Sequence, residues 1–362
     1  MSRGHSPCVP GAPWWVLALV LFAPAFSRAE GGFIQLIGWG GGNPDDVVPA
    51  AAETGFSDII ISRHDATRVR RFVEIGERHG IGIYASISLA DIDGWRKRRP
   101  GIAPPLQEMG SAENEALERI AADGSRGKSG YQYGGEPARA VEVLTPPLLC
   151  PHDPRVRELF QEQIREILST SGIRGVAFDF FGYRNYRCCL CRRSVARFEA
   201  WREGRPAMPR EREIEAFSLE SLVDVINALA GHARSIRPDA KVQCHVYPVF
   251  LPEPLYGNRL DMDYCGQTAA WYFEPFWVLD KVRNYSRVIF GEEKRYFDRA
   301  EGVAFIGVYC RPDLYPTKDA ARLAGELEAI RSAGGDRVQV CSLDDVLKDD
   351  ATRAVFRRFF GR

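Results

Sequence analysis

Asp179 ends the apolar run GVAFD within GVAFDFFGYRNYRCCLC (175–191). An ionised carboxylate in such surroundings is costly unless it is paired or put to use, so its position asks for a role. Other carboxylates and aromatic rings recur just beyond apolar runs, among them Glu253 in VFLPEPLYG, Asp263 in LDMDYCG, and Trp39, Tyr183 and Trp271. Cleavage of a glycosidic bond needs one carboxyl group as nucleophile or base, a second to protonate the leaving oxygen, and flat rings to stack on sugar faces. We therefore expect Asp179 as nucleophile or base, with Glu253 the first choice of acid and Asp263 a further catalytic candidate. Trp39, His64, Tyr183, His245, Tyr247, Gln267 and Trp271 are the expected substrate-binding groups. A barrel with the same sugar groove but no working acid, a carbohydrate-binding module, is the competing reading.

Other chemistries fit less well. The chain has 6 histidines and no His-x-His on its first strand, so a catalytic metal is not expected. Gly38, Gly40, Gly41 and Gly42 invite a dinucleotide-binding reading, but Asn43-Pro44 replaces the last glycine of that fingerprint. No G-x-S-x-G elbow is present for a serine hydrolase. No cofactor is expected.

These groups need a scaffold that gathers them at one end. Eight β-rich runs alternate with helical segments, at 33–39, 58–62, 81–88, 175–181, 241–247, 260–266, 303–309 and 337–343. That alternation is the pattern of a parallel sheet wrapped by helices, and eight repeats make a (β/α)₈ TIM barrel in a single domain. Helix punctuation agrees: Asn43-Pro44, Asp65 and Asp153-Pro154 read as starts, Gly55 as a stop. Roughly 85 residues separate the third and fourth strands, a long insertion expected at the rim where barrel enzymes carry their chemistry. Within 175–181, Gly175, Ala177 and Asp179 share one face and the bulky Val176, Phe178 and Phe180 the other, so Asp179 is expected to point into the barrel. The same reasoning turns Gln243, His245 and Tyr247 inward on the fifth strand, and Asp261, Asp263, Cys265 and Gln267 inward on the sixth.

One stretch resembles a known group. LCPHDPRVRELFQEQIREILSTSGIRGVAFDFFGY, followed by CCLC and RRSVARFEAW, is similar to the secreted bacterial glycosyl hydrolase-like barrels, distant relatives of the α-amylase and α-galactosidase barrels. The likeness rests on Cys150-Pro151-His152-Asp153-Pro154, Asp179-Phe180, Cys188 with Cys191, Phe198 and Trp201. It implies that Asp179 is the catalytic carboxylate. Gly182 stands where many relatives carry an arginine, and Arg184 follows two residues later.

The remaining composition sets limits. Lysine plus arginine and aspartate plus glutamate are 48 each, so no net field favours nucleic acid or an acidic membrane, and neither partner is expected. Residues 1–29 read as a signal peptide: Arg3 and His5, then the apolar run Trp14 to Phe26, then Ser27-Arg28-Ala29 as a cleavage site. That run is too short for a stable membrane span. A secreted or periplasmic protein is expected, with 30–362 forming the barrel and a carbohydrate as its partner. Of the 9 cysteines, Cys150, Cys188, Cys189 and Cys191 fall on loops. They are open to a disulfide, to free thiols, or to a structural zinc held by Cys150, Cys188, Cys191 and either His152 or Cys189.

Overall fold

A computed structural model of the chain describes residues 32–61, 65–110, 146–184, 187–246, 256–270, 276–292, 297, 299–308 and 318–361. The chain falls into two units, Met1–Glu30 and Gly31–Arg362, and the first lies outside the described residues. Eight strands close a parallel barrel in sequence order: β1 Gln35–Trp39, β2 Asp58–Ile61, β3 Gly82–Ser88, β4 Gly175–Asp179, β5 Lys241–Val246, β6 Tyr264–Ala270, β7 Glu301–Gly307 and β8 Arg337–Cys341. The expected (β/α)₈ architecture is therefore the observed one, and seven strands lie where the sequence places them. The sixth begins at Tyr264 rather than residue 260.

Among the described residues the α-helices are α1 Pro44–Thr54, α2 Ala66–His79, α3 Ile92–Arg98, α4 Pro154–Leu168, α5 Arg192–Arg202, α6 Arg210–Ile236, α7 Leu279–Arg287, α8 Ala320–Ser332, α9 Leu343–Lys348 and α10 Asp350–Phe360. After β5 the described residues hold a 3₁₀ turn, Tyr256–Arg259, in place of the helix expected there. Between β3 and β4 lie α3, an isolated antiparallel bridge from Leu106 to Leu149, and α4. The polar middle of the expected insertion, 111–145, is outside the described residues. No described helix is long and apolar enough to cross a membrane.

Local chemistry sets the helix starts. Asp65 accepts the amides of Thr67 and Arg68 at 2.8 and 3.0 Å, Asp153 accepts that of Arg155 at 2.9 Å, and α1 carries its proline in the first turn after Asn43. Each cap meets one or two of the amides that a helix N-terminus leaves without a partner. Gly55 closes α1 with φ of 102°, a left-handed conformation that suits glycine.

Alternation divides the core in two. Outward side chains pack under the helices in one large cluster, while Ile37, Trp39, Ile60, Tyr84, Ala177 and Phe305 fill the barrel interior. At the N-terminal end a buried carboxylate, Asp58, accepts from Gln35 Nε2 at 2.9 Å, Ser57 Oγ at 2.7 Å and Arg174 Nη1 at 2.6 Å. The partially exposed arginine and two neutral donors give it what a charge out of water requires. Midway up, Gln339 donates to Gln243 Oε1 at 2.8 Å and accepts from the Trp39 indole at 3.4 Å. This crossing needs glycine at 266, where a Cβ would lie 1.8 Å from Gln339 Oε1. Gly175 is tighter still, because a Cβ there would lie 1.7 Å from the Lys241 carbonyl oxygen of the paired strand.

Gly175→Ala is expected to destabilise the chain by about 1–3 kcal/mol or more, since backbone rather than a flexible side chain blocks the methyl group. Gly231→Ala, in the open on α6, serves as the control and is expected to be neutral or to stabilise by up to about 1 kcal/mol. Urea midpoints at unchanged slope measure both, and equal midpoints for the two variants would contradict the packing argument.

Candidate active site at the C-terminal mouth

Asp179 is the last residue of β4, half-buried, and pairs with Ser88 at the end of β3. It shares its strand face with Ala177, which belongs to the interior cluster. The chain then turns sharply. Phe180 adopts φ of 53°, a conformation rare for a bulky residue and costing about 1–3 kcal/mol where it persists. That turn lets Asp179 Oδ1 accept the Phe180 amide at 2.9 Å, which fixes the carboxylate rotamer. A strained residue directly after the inward carboxylate marks the strand end as a place where geometry is held against local preference.

Gln107 supplies much of the hold. Buried in the segment after α3, it donates to the carbonyls of Leu149 at 3.1 Å and Gly182 at 3.0 Å, and accepts the Arg184 amide at 2.8 Å. One side chain thus joins both described edges of the insertion to the loop that follows Asp179. Nothing in GIAPPLQEMG signals this role, because all of its partners lie far away in sequence.

The opposite side of the mouth is fastened by another carboxylate. Asp344, in the first turn of α9, accepts the amides of Gly41 at 3.1 Å and Gly42 at 2.9 Å. Arg68 holds the Gly42 carbonyl at 2.9 Å. The glycine-rich loop is therefore a cradle for a carboxylate of the same chain, and a Cβ at Gly40 or Gly42 would press on Asp344 or Val47.

His245 lies inward on β5, stacked on Phe305 with ring centroids 3.5 Å apart, and its Nε2 is 3.1 Å from Thr268 Oγ1. Burial pushes its pKa down to about 3, so the ring is a neutral hydrogen-bonding group throughout the ordinary pH range. Trp39 also stands inward at the top of β1, but it is only 5% exposed and packs within the barrel interior.

Three expectations are corrected. Asp263 is not an inward residue near the mouth: it precedes β6 at the opposite end, held by the Val242 amide at 2.9 Å, Lys241 Nζ at 2.8 Å and Arg234 Nη2 at 3.3 Å. Because β6 starts at Tyr264, its inward set is Tyr264, Gly266 and Thr268, and Cys265 belongs to the outer cluster. Gln267 shares that outward face, where it lies against Gly257 of the 3₁₀ turn. Tyr183 is also withdrawn from any sugar. It is 1% exposed, with its hydroxyl 3.2 Å from His152 Nε2 and donating to the Ser218 carbonyl at 3.3 Å. His64, Tyr247, Glu253 and Trp271 lie outside the described residues.

Beside Tyr183, the loop cysteines converge. Cys150, Cys189 and Cys191 bring their sulfurs within 4.8 Å of one another. Cys189, rather than Cys188, joins Cys150 and Cys191, because the turn after 187 buries the former and leaves the latter half-exposed. His152, whose pKa burial pushes down to about 4, sits behind them with Nδ1 2.7 Å from Ser194 Oγ.

No protein-family model and no curated protein sequence matches this chain. Solved structures do, through fold. The PgaB (BpsB) glycoside hydrolase domain from Bordetella bronchiseptica aligns over 91% of this chain and 99% of its own, with a TM-score of 0.57 and 12% identity. A β-galactosidase from Bacillus circulans sp. alkalophilus aligns over 87% of this chain and 51% of its own, at TM-score 0.54 and 11% identity. A GH42 β-galactosidase from G. stearothermophilus aligns over 92% and 57%, at 0.53 and 10%. The chain spans about half the length of these galactosidases. It shares its eight-stranded barrel with these glycoside hydrolases as a distant structural relative.

The buried His245 makes a signed prediction. Its folded pKa of about 3 lies below the ordinary 6.5, so between these values the unfolded chain binds the extra proton and stability rises with pH. The contribution is complete above 6.5 and is lost as pH falls towards 3. His245→Gln is expected to flatten the decline of Tm between pH 6.5 and 4 relative to the wild-type chain, and parallel Tm curves over that window would refute a neutral buried ring.

Proposed function

We propose that this protein is a glycoside hydrolase acting on an oligo- or polysaccharide at the C-terminal mouth of the barrel, with Asp179 as its nucleophile or base. The observation that carries the reading is the position of Asp179: the inward carboxylate at the very end of β4, its rotamer fixed by the amide of a left-handed Phe180. Strand ends at this face are where barrels of this class assemble catalytic groups. The shared fold with the glycoside hydrolase domain of PgaB supports the same class of chemistry.

In this reading a sugar lies over the mouth with its anomeric carbon facing Asp179. Glu253, seven residues beyond the end of β5 in sequence, is the candidate that protonates the leaving oxygen. Its separation from Asp179 decides the stereochemistry, with about 5–5.5 Å for retention and about 6.5–9.5 Å for inversion. His245 contributes as a neutral imidazole, and Trp39 as part of the apolar floor beneath the sugar. His64, Tyr247 and Trp271 are the further candidates for sugar contacts. Asp263 and Tyr183 have no part in it, since each is engaged elsewhere, and Gln267 points to the outer face. The apolar run ending before Ala29 supports export through a cleaved signal peptide, which N-terminal sequencing of the mature protein tests.

A panel of glycans separates hydrolysis from binding. Wild-type protein is expected to release reducing ends from at least one glycan, and Asp179→Asn to lower kcat/KM by about 10³-fold or more while still binding it. Glu253→Gln is expected to lose turnover most on substrates with poor leaving groups. Binding without turnover by wild-type and Asp179→Asn alike would instead make the barrel a carbohydrate-binding module.

A further inference from the structure

The cysteine cluster has no part in the proposed reaction. Cys150 Sγ lies 3.6 Å from Cys191 Sγ and 3.8 Å from Cys189 Sγ. A disulfide needs about 2.05 Å. Thiolates at about 2.3 Å from a tetrahedral zinc stand about 3.8 Å apart, the edge of that tetrahedron. The three sulfurs are thus spaced as ligands around a common centre rather than as a bonded pair with one sulfur left over.

Their surroundings are polar on one side. Ser194 Oγ lies 3.4 Å from Cys150 Sγ and 3.2 Å from Cys191 Sγ. Its proton has a destination elsewhere. Tyr183 donates to the Ser218 carbonyl and so accepts from His152 Nε2, which leaves His152 Nδ1 to accept the Ser194 hydroxyl proton at 2.7 Å. A lone pair of Ser194 is then available to the two sulfurs that it approaches. Cys191 also occupies the N-cap of α5 without a side-chain cap bond, where the helix dipole favours negative charge. A cavity of about 580 Å³, lined by Cys150, Cys191, Asp153 and Arg192, opens onto the cluster and provides an entry path.

We infer that Cys150, Cys189 and Cys191, with the Ser194 oxygen as the fourth donor, form a structural site for one thiophilic divalent cation of the zinc class. Binding forms three metal–sulfur bonds, releases to solvent the protons of whichever thiols still carry them, and involves no oxidation. Three thiolates and a dication leave one net negative charge, set beside Arg192 and Arg193 and the start of α5. The ion ties the chain leaving the insertion, at Cys150, to the loop between β4 and α5, and so braces the segment that follows Asp179.

The full chain, purified without chelator, is expected to carry one zinc per molecule by elemental analysis. Replacement by Co²⁺ is expected to give thiolate-to-cobalt charge-transfer absorption and the visible bands of a tetrahedral centre. Cys189→Ser is expected to abolish both, Cys188→Ser to leave both unchanged, and Ser194→Ala to release the ion to a competing chelator about 10–100-fold more readily. Should Cys189→Ser fail to fold, the zinc content and cobalt spectrum of the wild-type chain still decide the matter. Metal-free protein that gives no cobalt–thiolate band, or peptide mapping that shows Cys150 disulfide-bonded to Cys189 or Cys191 in the freshly isolated chain, would overturn the site.

Discussion

Closure of the sheet is the constraint on which the other features rest. With β1 paired to β8 as well as to β2, no strand is left with an unpaired edge, and each residue is committed either to the barrel interior or to the helix layer. A carboxylate on the inward face has three available fates: a partner at the N-terminal end, a partner within the interior, or the open mouth. Asp58 takes the first, among Gln35, Ser57 and Arg174. Asp179 stands at the other end of its strand, as the last residue of β4, where its Oδ1 accepts the Phe180 amide. Inward polarity is therefore not by itself a mark of function. What separates these two aspartates is the end of the strand on which each stands.

Several polar side chains of the interior bond to one another. Gln339 links Gln243 and Trp39 through one amide, and His245 is sandwiched against Phe305 while reaching Thr268. Such crossings demand that something opposite be absent, and Gly266 provides the space. The layer below the mouth is thus closely packed and cross-linked by side-chain contacts.

Around β4 the fold concentrates its fastenings. Gln107 bonds three backbone groups, one at Leu149 and two on the loop after β4. The Tyr183–His152–Ser194 chain leads to the cysteines on the same loop system. Both flank the left-handed Phe180, whose conformation survives only if its neighbours over-determine it. On the opposite side of the mouth, Asp344 and the amides of Gly41 and Gly42 do the same for the loop after β1. A reacting group placed with sub-ångström accuracy needs support of this kind from outside its own strand.

The sequence by itself determined what depends on near neighbours. Eight β-rich runs separated by helical periodicity dictated the barrel. Period-two alternation put Asp179 on the same face as Gly175 and Ala177, and capping chemistry at Asp65 and Asp153 set helix starts, because each signal lies within a few residues of its effect. Only the tertiary structure decided the rest. Polar alternation in LDMDYCGQ suggested an inward face, yet long-range pairing with β5 and β7 started the strand at Tyr264 and sent Asp263 to Arg234 and Lys241. Tyr183 looked like a rim aromatic until packing against His152 buried it. Cys188 and Cys189 are adjacent and alike in sequence, and only the direction of the turn chose between them. Gln107 acquires its role from partners 42 to 77 residues away, and a local pattern carries no information about contacts made at that range.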